Sequence, residues 1–507
     1  MIEPIGDWLR LDSADDVAIS LRDIDAGAHV VLNGAPIPVL DPIPRGHKVA
    51  LRPLARLTPI VKYGQIIGHA AADIAAGEHV HLHNVTVLPV QRTEARPTRN
   101  PSPDDSRLPN TFHGFRNHGR RSGTRNAIGV LATVNCSADV VRAVVAETRR
   151  RILPDHPSVD GVFAITHSGG CGMPVDGRTH IYLRRCLIGA AMNPNVAGVI
   201  IIGLGCEVMD GGAVRDAAQM AGIPAIQIGI QEIGGTGRAI RAGVEAAAGL
   251  IATANARRRQ RVPISDLIIG TQCGGSDAYS GITANPLLGR AGDLLISRGA
   301  SWALAETPET YGAEHLLTAR ATSREVADRL LAMMRRWERE VAATGASLDN
   351  NPAPGNKAGG LTTIYEKALG AVAKAGSTPL QNVLEYGEAI TKPGLTFMDS
   401  PGLDDVSTTG LVAGGCNLVA FTTGRGSCLS MNPIPVVKIA STTELYNRMR
   451  DDMDFDAGRL ITGWDMDEAA YTLAMQIIRV ASGDQTAGER QGLGDHTFAP
   501  WDVGPTL

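Results

Sequence analysis

The sequence predicts an α/β body with mostly parallel sheets flanked by helices, plus a small N-terminal all-β domain. From Phe112 onward, apolar β-branched runs alternate with segments of helical spacing, the pattern of parallel strands covered on both faces. Residues 1 to about 90 instead carry short strands broken by glycine and proline, with no helical period. The 507 residues exceed what one compact core organises, so two or three domains are expected.

In the amino-terminal part the strands are Asp16–Leu21, His29–Leu32 before an Asn33-Gly34 turn, and Lys48–Leu51. Between Pro89 and Thr111 the composition shifts to Arg92, Arg96, Pro97, Pro101 and Pro103, which predicts an exposed linker over 91–111. The body then runs over 112–507, with a division into two subdomains near 260. Its apolar runs, at 128–134, 161–166, 199–204, 267–271 and 418–421, each lead into a loop of small residues. Helices are expected at Ala138–Arg150, Arg324–Ala342 and Glu366–Lys374.

Composition narrows the function. A net charge of −4 gives no general attraction to nucleic acid or acidic membranes. Aromatics make up only 4%, against 58 glycines, which favours handling of small polar ligands over base stacking. The amino terminus shows no secretory pattern and no apolar run approaches a membrane span, so a cytoplasmic protein is expected. Seven scattered cysteines do not suggest a disulfide framework. Neither a dinucleotide fingerprint, a P-loop nor a serine-nucleophile elbow is present.

Five predicted strands end in loops that bear Cys136, Cys171, Cys206, Cys273 and Cys428. Ligands bind at the carboxyl ends of parallel strands, so these loops are expected to converge on one site. Cysteine is also simply a small, often buried residue, and for any single one that reading is favoured. The same loops carry His167, Glu207, Ser276, Asp277 and Arg425, which makes the set more suggestive than its members. No CxxC pair exists, so a structural zinc knuckle is not expected. Three thiolates, with Cys171, Cys206 and Cys273 as candidates, offer an alternative set for an iron–sulfur cluster.

A second constellation is His79-Val80-His81-Leu82-His83. On a strand, residues two apart share a face, so the three imidazoles are expected to form a ligand row for a divalent metal such as Fe²⁺ or Mn²⁺. The competing reading is the polar face of an edge strand. His47 is a weaker candidate to join the row. The stretch holding Ser276, Thr283 and Asn285 is dense in groups that pair with sugar hydroxyls. Asn356 and Lys357 in a glycine-rich turn, and Arg425 between Gly424 and Gly426, suit a carboxylate.

Together, His79 to Asn84, Gly203 to Glu207, Gln272 to Asp277, Ser280 to Pro286, Asn351 to Gly360 and Thr422 to Gly426 resemble the altronate/galactarate dehydratase family. The resemblance covers essentially the whole chain. It implies an SAF-type β-clip head over 1–90 and a dehydratase body, acting as a hydro-lyase that turns a sugar acid into a 2-keto-3-deoxy acid with iron or another divalent ion. The family also holds a (2R)-sulfolactate sulfo-lyase, so sulfite elimination is an alternative. A non-catalytic sugar-acid binding protein is a second one. The chain departs from its relatives at Ser427-Cys428-Leu429, where Thr-Pro-Tyr is usual, and the exact substrate is left open there.

The expected assignment places the metal on His79, His81 and His83, and the substrate carboxylate on Lys357 and Arg425. His167, Glu207, Asp277 and Lys357 are the candidates for catalysis, with Ser276, Thr283, Asn285 and Asn356 binding hydroxyls. The partner is a small sugar acid, with no nucleic acid or membrane, and the chain is expected to form a homo-oligomer, a dimer.

Overall fold

The computed structural model describes residues 3–32, 34–88 and 105–503. In the head, a five-stranded antiparallel sheet runs in the order Glu3–Ile5, Trp8–Arg10, Val17–Ser20, Lys48–Ala50 and His79–Val80. Inward-facing Trp8, Ala18, Val30 and Val49 fill its core. A hairpin of His29–Leu32 and Ala35–Pro38 and a three-stranded sheet complete the unit. The expected linker lies outside the described residues as far as 104. From 105 onward the chain is anchored, with Leu108 buried and the Asp105 carbonyl accepting from Arg298 at 2.6 Å.

The body contains two parallel sheets. The first is built from β1 (Ala127–Ala132), β2 (Gly161–Ile165), β3 (Val196–Gly203) and β4 (Ala225–Gly229), in the order β2-β1-β3-β4. Successive strand residues face opposite layers. Val130 and Ile200 meet helices Ala138–Arg151 and Thr236–Asn255, while Leu131 and Val199 meet Arg178–Ala191 and Gly211–Met220.

The second sheet holds β5 (Ile268–Cys273), β6 (Ser301–Leu304), β7 (Leu380–Leu384), β8 (Gly394–Met398), β9 (Leu418–Thr423), β10 (Val436–Ala440) and β11 (Phe455–Asp456). They run in the order β7-β8-β6-β5-β9-β10-β11, all parallel. Helices Ala284–Ser297 and Met466–Ala481 cover one face and Asp404–Ala413 the other. The expected helices appear as Ala138–Arg151, Arg324–Ala343 and Ile364–Val372. Among the described residues no helix is long and apolar enough to cross a membrane.

The head docks on its own body through charge buried at the junction. Lys48 and Lys62 are fully buried, and their ammonium groups share the Glu366 carboxylate at 3.0 and 2.7 Å. That carboxylate also accepts from the Thr362 N–H and hydroxyl, and Lys48 donates to Gly360 O at 2.6 Å. Tyr279 donates to Ser20 O, Tyr365 to Leu88 O, and the Thr363 hydroxyl to Ile67 O. Two cations against one anion leave a buried excess of positive charge, offset by the shared carboxylate, the Gly360 carbonyl and the Tyr63 ring 4.6 Å from Lys62 Nζ.

Candidate active site at the head–body junction

In an open parallel sheet, ligands bind where the strand order reverses direction. In the second sheet that point lies between β5 and β9. The loop after β5 carries Ser276 and Asp277, and the loop after β9 carries Arg425. The two loops are laced together by Gly424 and Arg425 N–H groups donating to Gly275 O at 3.1 and 2.9 Å. The 351–360 segment closes the third side, with Ala278 N–H donating to Gly359 O and Asn356 Nδ2 to Ser276 O at 2.8 Å.

Asp277 is buried, and burial pushes its carboxyl up against the opposing bonds from the Ser280 hydroxyl and N–H and the Ser441 hydroxyl. The Ser276 hydroxyl is buried with no protein partner. Arg425 is exposed and Lys357 half-buried at the rim. Thr283 and Asn285 have other duties. The Thr283 hydroxyl bonds to Tyr279 O and Ser441 O, while Asn285 takes a bond from Thr422 and donates to Gly370 O. Both residues tie helix Ala284–Ser297 to the sheet, and their polar atoms are spent on protein.

Over this mouth sits a group of imidazoles from the head. The expected three-histidine strand face is not formed, because the strand stops at Val80. Asn84 Oδ1 accepts from His81 N–H and Asn84 Nδ2 donates to His79 O, turning the chain. His83 is consequently exposed, its ring centre 5.6 Å from that of His79. His47 takes its place, since antiparallel register sets Lys48 opposite Val80 and so brings position 47 beside 81. Ligand atoms of His47, His79 and His81 lie within 4.8 Å of one another. His47 Nδ1 and His79 Nε2 are 3.0 Å apart, and His47 Nε2 is 3.3 Å from Ala358 O in the body.

Burial, aided by Lys48 and the neighbouring rings, lowers His81 to about 3 and His79 to about 4. His47 is lowered too, first by burial. All three are therefore neutral near pH 7, the form that binds a metal. Nitrogens about 2.1 Å from one ion in adjacent octahedral positions stand about 3.0 Å apart, which the His47–His79 pair matches. His81 Nδ1 is buried without a hydrogen-bond partner, a further sign that the donor set suits a cation.

Behind β5 is a charged network whose other members the sequence reading missed. Cys273 Sγ is 2.7 Å from Lys374 Nζ, which bonds Glu306 at 3.0 Å. Lys367 holds Glu309 at 2.6 Å and Asn351 at 2.8 Å. Ligand atoms of Cys273, Glu306 and Glu309 lie within 4.8 Å of one another, yet the Lys374 ammonium already supplies a cation to Cys273 and Glu306. Burial raises the Cys273 thiol to about 12. Lysines at 367 and 374, around the otherwise largely apolar helix Ile364–Val372, were the available signal.

The remaining predicted residues stand elsewhere. His167 and Glu207 belong to the carboxyl edge of the first sheet, together with the loops of Cys136, Cys171 and Cys206. His167 Nδ1 accepts from Gly169 N–H and Nε2 faces Ala132 O at 2.9 Å, so both ring nitrogens serve as a clamp. Glu207 accepts from the Thr133 hydroxyl and Gly205 N–H; burial raises its carboxyl but these bonds outweigh it, and the net shift is downward. The five cysteine loops thus divide between two sheets. Cys273 lies in the second, Cys171 and Cys206 in the first, and Cys428 is exposed after β9.

A β head docked at the switch point of a parallel sheet, with an imidazole cluster beside buried polar groups, is the architecture of a multidomain α/β protein with a candidate site. Family models match the altronate/galactarate dehydratase SAF domain over residues 6–88, the D-galactarate dehydratase/altronate hydrolase second domain over 114–255, and the D-galactarate/altronate dehydratase C-terminal domain over 264–506. The chain belongs to the altronate/galactarate dehydratase family. It is 36% identical to an altronate dehydratase of Bacillus subtilis (strain 168) over 490 residues, 95% of this chain and 96% of that one. It is equally 36% identical to a galactarate dehydratase (L-threo-forming) of Escherichia coli (strain K12) over 501 residues, 97% and 96% of the two chains. A (2R)-sulfolactate sulfo-lyase subunit beta of Chromohalobacter salexigens is 33% identical, covering 75% of this chain and 95% of its own.

Proposed function

We propose that the chain is a hydro-lyase that dehydrates an aldonate or aldarate to a 2-keto-3-deoxy acid, using a divalent ion such as Fe²⁺ or Mn²⁺. The observation that carries this reading is the His47/His79/His81 cluster standing over the loops of Asp277, Lys357 and Arg425. Those three imidazoles would hold the ion, which when bound supplies Lewis acidity to the substrate carboxylate and the charge that develops beside it. Lys357 and Arg425 at the rim provide positive charge for a carboxylate, Arg425 through two parallel N–H donors. Ser276 offers its unpartnered hydroxyl to a sugar hydroxyl.

Dehydration removes a proton from the carbon next to the carboxylate and expels the 3-hydroxyl as water. Asp277, whose carboxyl is raised by burial, is the candidate proton carrier. The test is a panel of aldonic, aldaric and sulfonated hydroxy acids offered to the full chain with Fe²⁺, followed by 2-keto acid and sulfite. Keto acid from altronate or galactarate, lost on chelation and in His81→Ala, is expected. No keto acid from any sugar acid, or sulfite from sulfolactate alone, overturns the reading.

A further inference from the structure

The first sheet has a switch point of its own. Its order β2-β1-β3-β4 reverses between β1 and β3, and loops from three adjacent strand ends border that crevice. Each carries one cysteine: Cys136 after β1, Cys171 after β2 and Cys206 after β3. All three are free and exposed. Exposed thiols are a liability, and a seven-cysteine chain has four, of which three lie on the loops of this one edge.

Backbone contacts hold the loops together. Asn135 N–H donates to Gly169 O at 3.0 Å, and Val208 and Met209 N–H both reach Gly170 O. Gly170, at φ 101°, lies against the end of β1; a β-carbon there would stand 2.2 Å from Thr133 O. His167 clamps the β1 and β2 ends and Glu207 clamps β1 to the β3 loop, as described above. Gln231 Nε2 comes within 3.9 Å of Cys206 Sγ, an N–H donor aimed at sulfur.

We propose that Cys136, Cys171 and Cys206 form a three-thiolate site for an iron–sulfur cluster, separate from the imidazole cluster at the head–body junction. The donor chemistry selects soft metal, and N–H donors to sulfur are a feature of cluster sites. Adjacent strands lie about 4.8 Å apart, so ligands drawn from three consecutive strand ends suit a multi-iron cluster better than one small ion. His167 and Glu207 act here as positioning residues for the two loops they pin.

The experiment uses the full chain, reconstituted anaerobically with ferrous iron, sulfide and a thiol reductant, then desalted. Bound iron, acid-labile sulfide and visible absorption are measured, with circular dichroism as the folding control. The expected result is iron with matching labile sulfide and a visible chromophore. Cys136→Ser, Cys171→Ser and Cys206→Ser should each lower labile sulfide at least tenfold, because exposed thiols exchange for hydroxyls without disturbing a core. Cys428→Ser and His81→Ala should keep the chromophore, which separates this site from the proposed hydro-lyase centre. A chromophore that survives the triple serine variant, or a wild-type chain that takes up no labile sulfide, overturns the proposal.

Discussion

Gly424 and Asp277 occupy one space: a β-carbon at position 424 would fall 2.2 Å from the Asp277 carboxyl carbon and from Oδ1. Any side chain there must displace the carboxylate. Gly424→Ala is therefore expected to lower turnover of the accepted sugar acid about 100-fold, the scale of an ångström-sized misplacement, with circular dichroism unchanged. Steady-state kinetics at saturating metal check this. Undiminished kcat would remove Asp277 from the reacting centre.

Glu366 is the shared counter-ion of Lys48 and Lys62, all three side chains being fully buried. Glu366→Gln leaves two lysines without their anion, and unfolding by urea should show a loss of about 3–5 kcal/mol. The early part of the transition should report the head leaving the body, visible as new protease cleavage near the junction.

His167 carries the clearest pH dependence. Burial lowers its imidazole to about 4, against 6.5 when the chain is unfolded. Below pH 6.5 the unfolded chain takes up a proton that the folded one refuses, so stability falls as pH drops and levels off beneath about 4. The full effect is on the order of 3 kcal/mol. Gln at 167 can retain both hydrogen bonds, so the difference between wild-type and His167→Gln unfolding free energies should grow with acidity between pH 6.5 and 4. Parallel profiles would mean the imidazole is not held neutral.

The imidazole cluster predicts an order of effects that a simple row does not. His47→Ala should weaken divalent-metal binding by more than 100-fold, beyond the 10–100-fold typical of outer-shell changes. His83→Ala should cost far less, because His83 is exposed and outside the three-nitrogen group. Competition titration with a chromogenic chelator measures both, and equal losses would restore the His79/His81/His83 row.

Local pattern made the strands, helices and site loops legible, because burial on both faces leaves its mark in consecutive apolar residues. Partnership between distant segments left no such mark. Five cysteine loops looked alike in sequence, and only strand order sends Cys273 to one sheet and Cys136, Cys171 and Cys206 to another. The His79–His83 alternation is strand-like, yet Asn84 ends the strand with two side-chain bonds, and cross-strand register substitutes His47. Thr283 and Asn285 are the polar types a sugar needs, but here they tie the start of a helix to Ser441 O, Gly370 O and Thr422. Lys367 and Lys374 stand out around an apolar helix, but their pairing with Glu306 and Glu309 is wholly tertiary and leaves no local pattern.

One contact at the junction makes the body a participant in the chemistry of the head. A carbonyl can only accept, so Ala358 O requires the His47 proton on Nε2, which frees the Nδ1 lone pair to face His79 and His81. The tautomer of a head residue is thus selected by a body backbone atom. Detachment of the head would release that selection, and by reciprocity an ion captured on Nδ1 favours the docked arrangement. At a concentration of 100 times its Kd such an ion contributes about 2.7 kcal/mol to whichever state binds it. For an ion held there, occupancy and domain closure would be a single equilibrium, written across two parts of one chain.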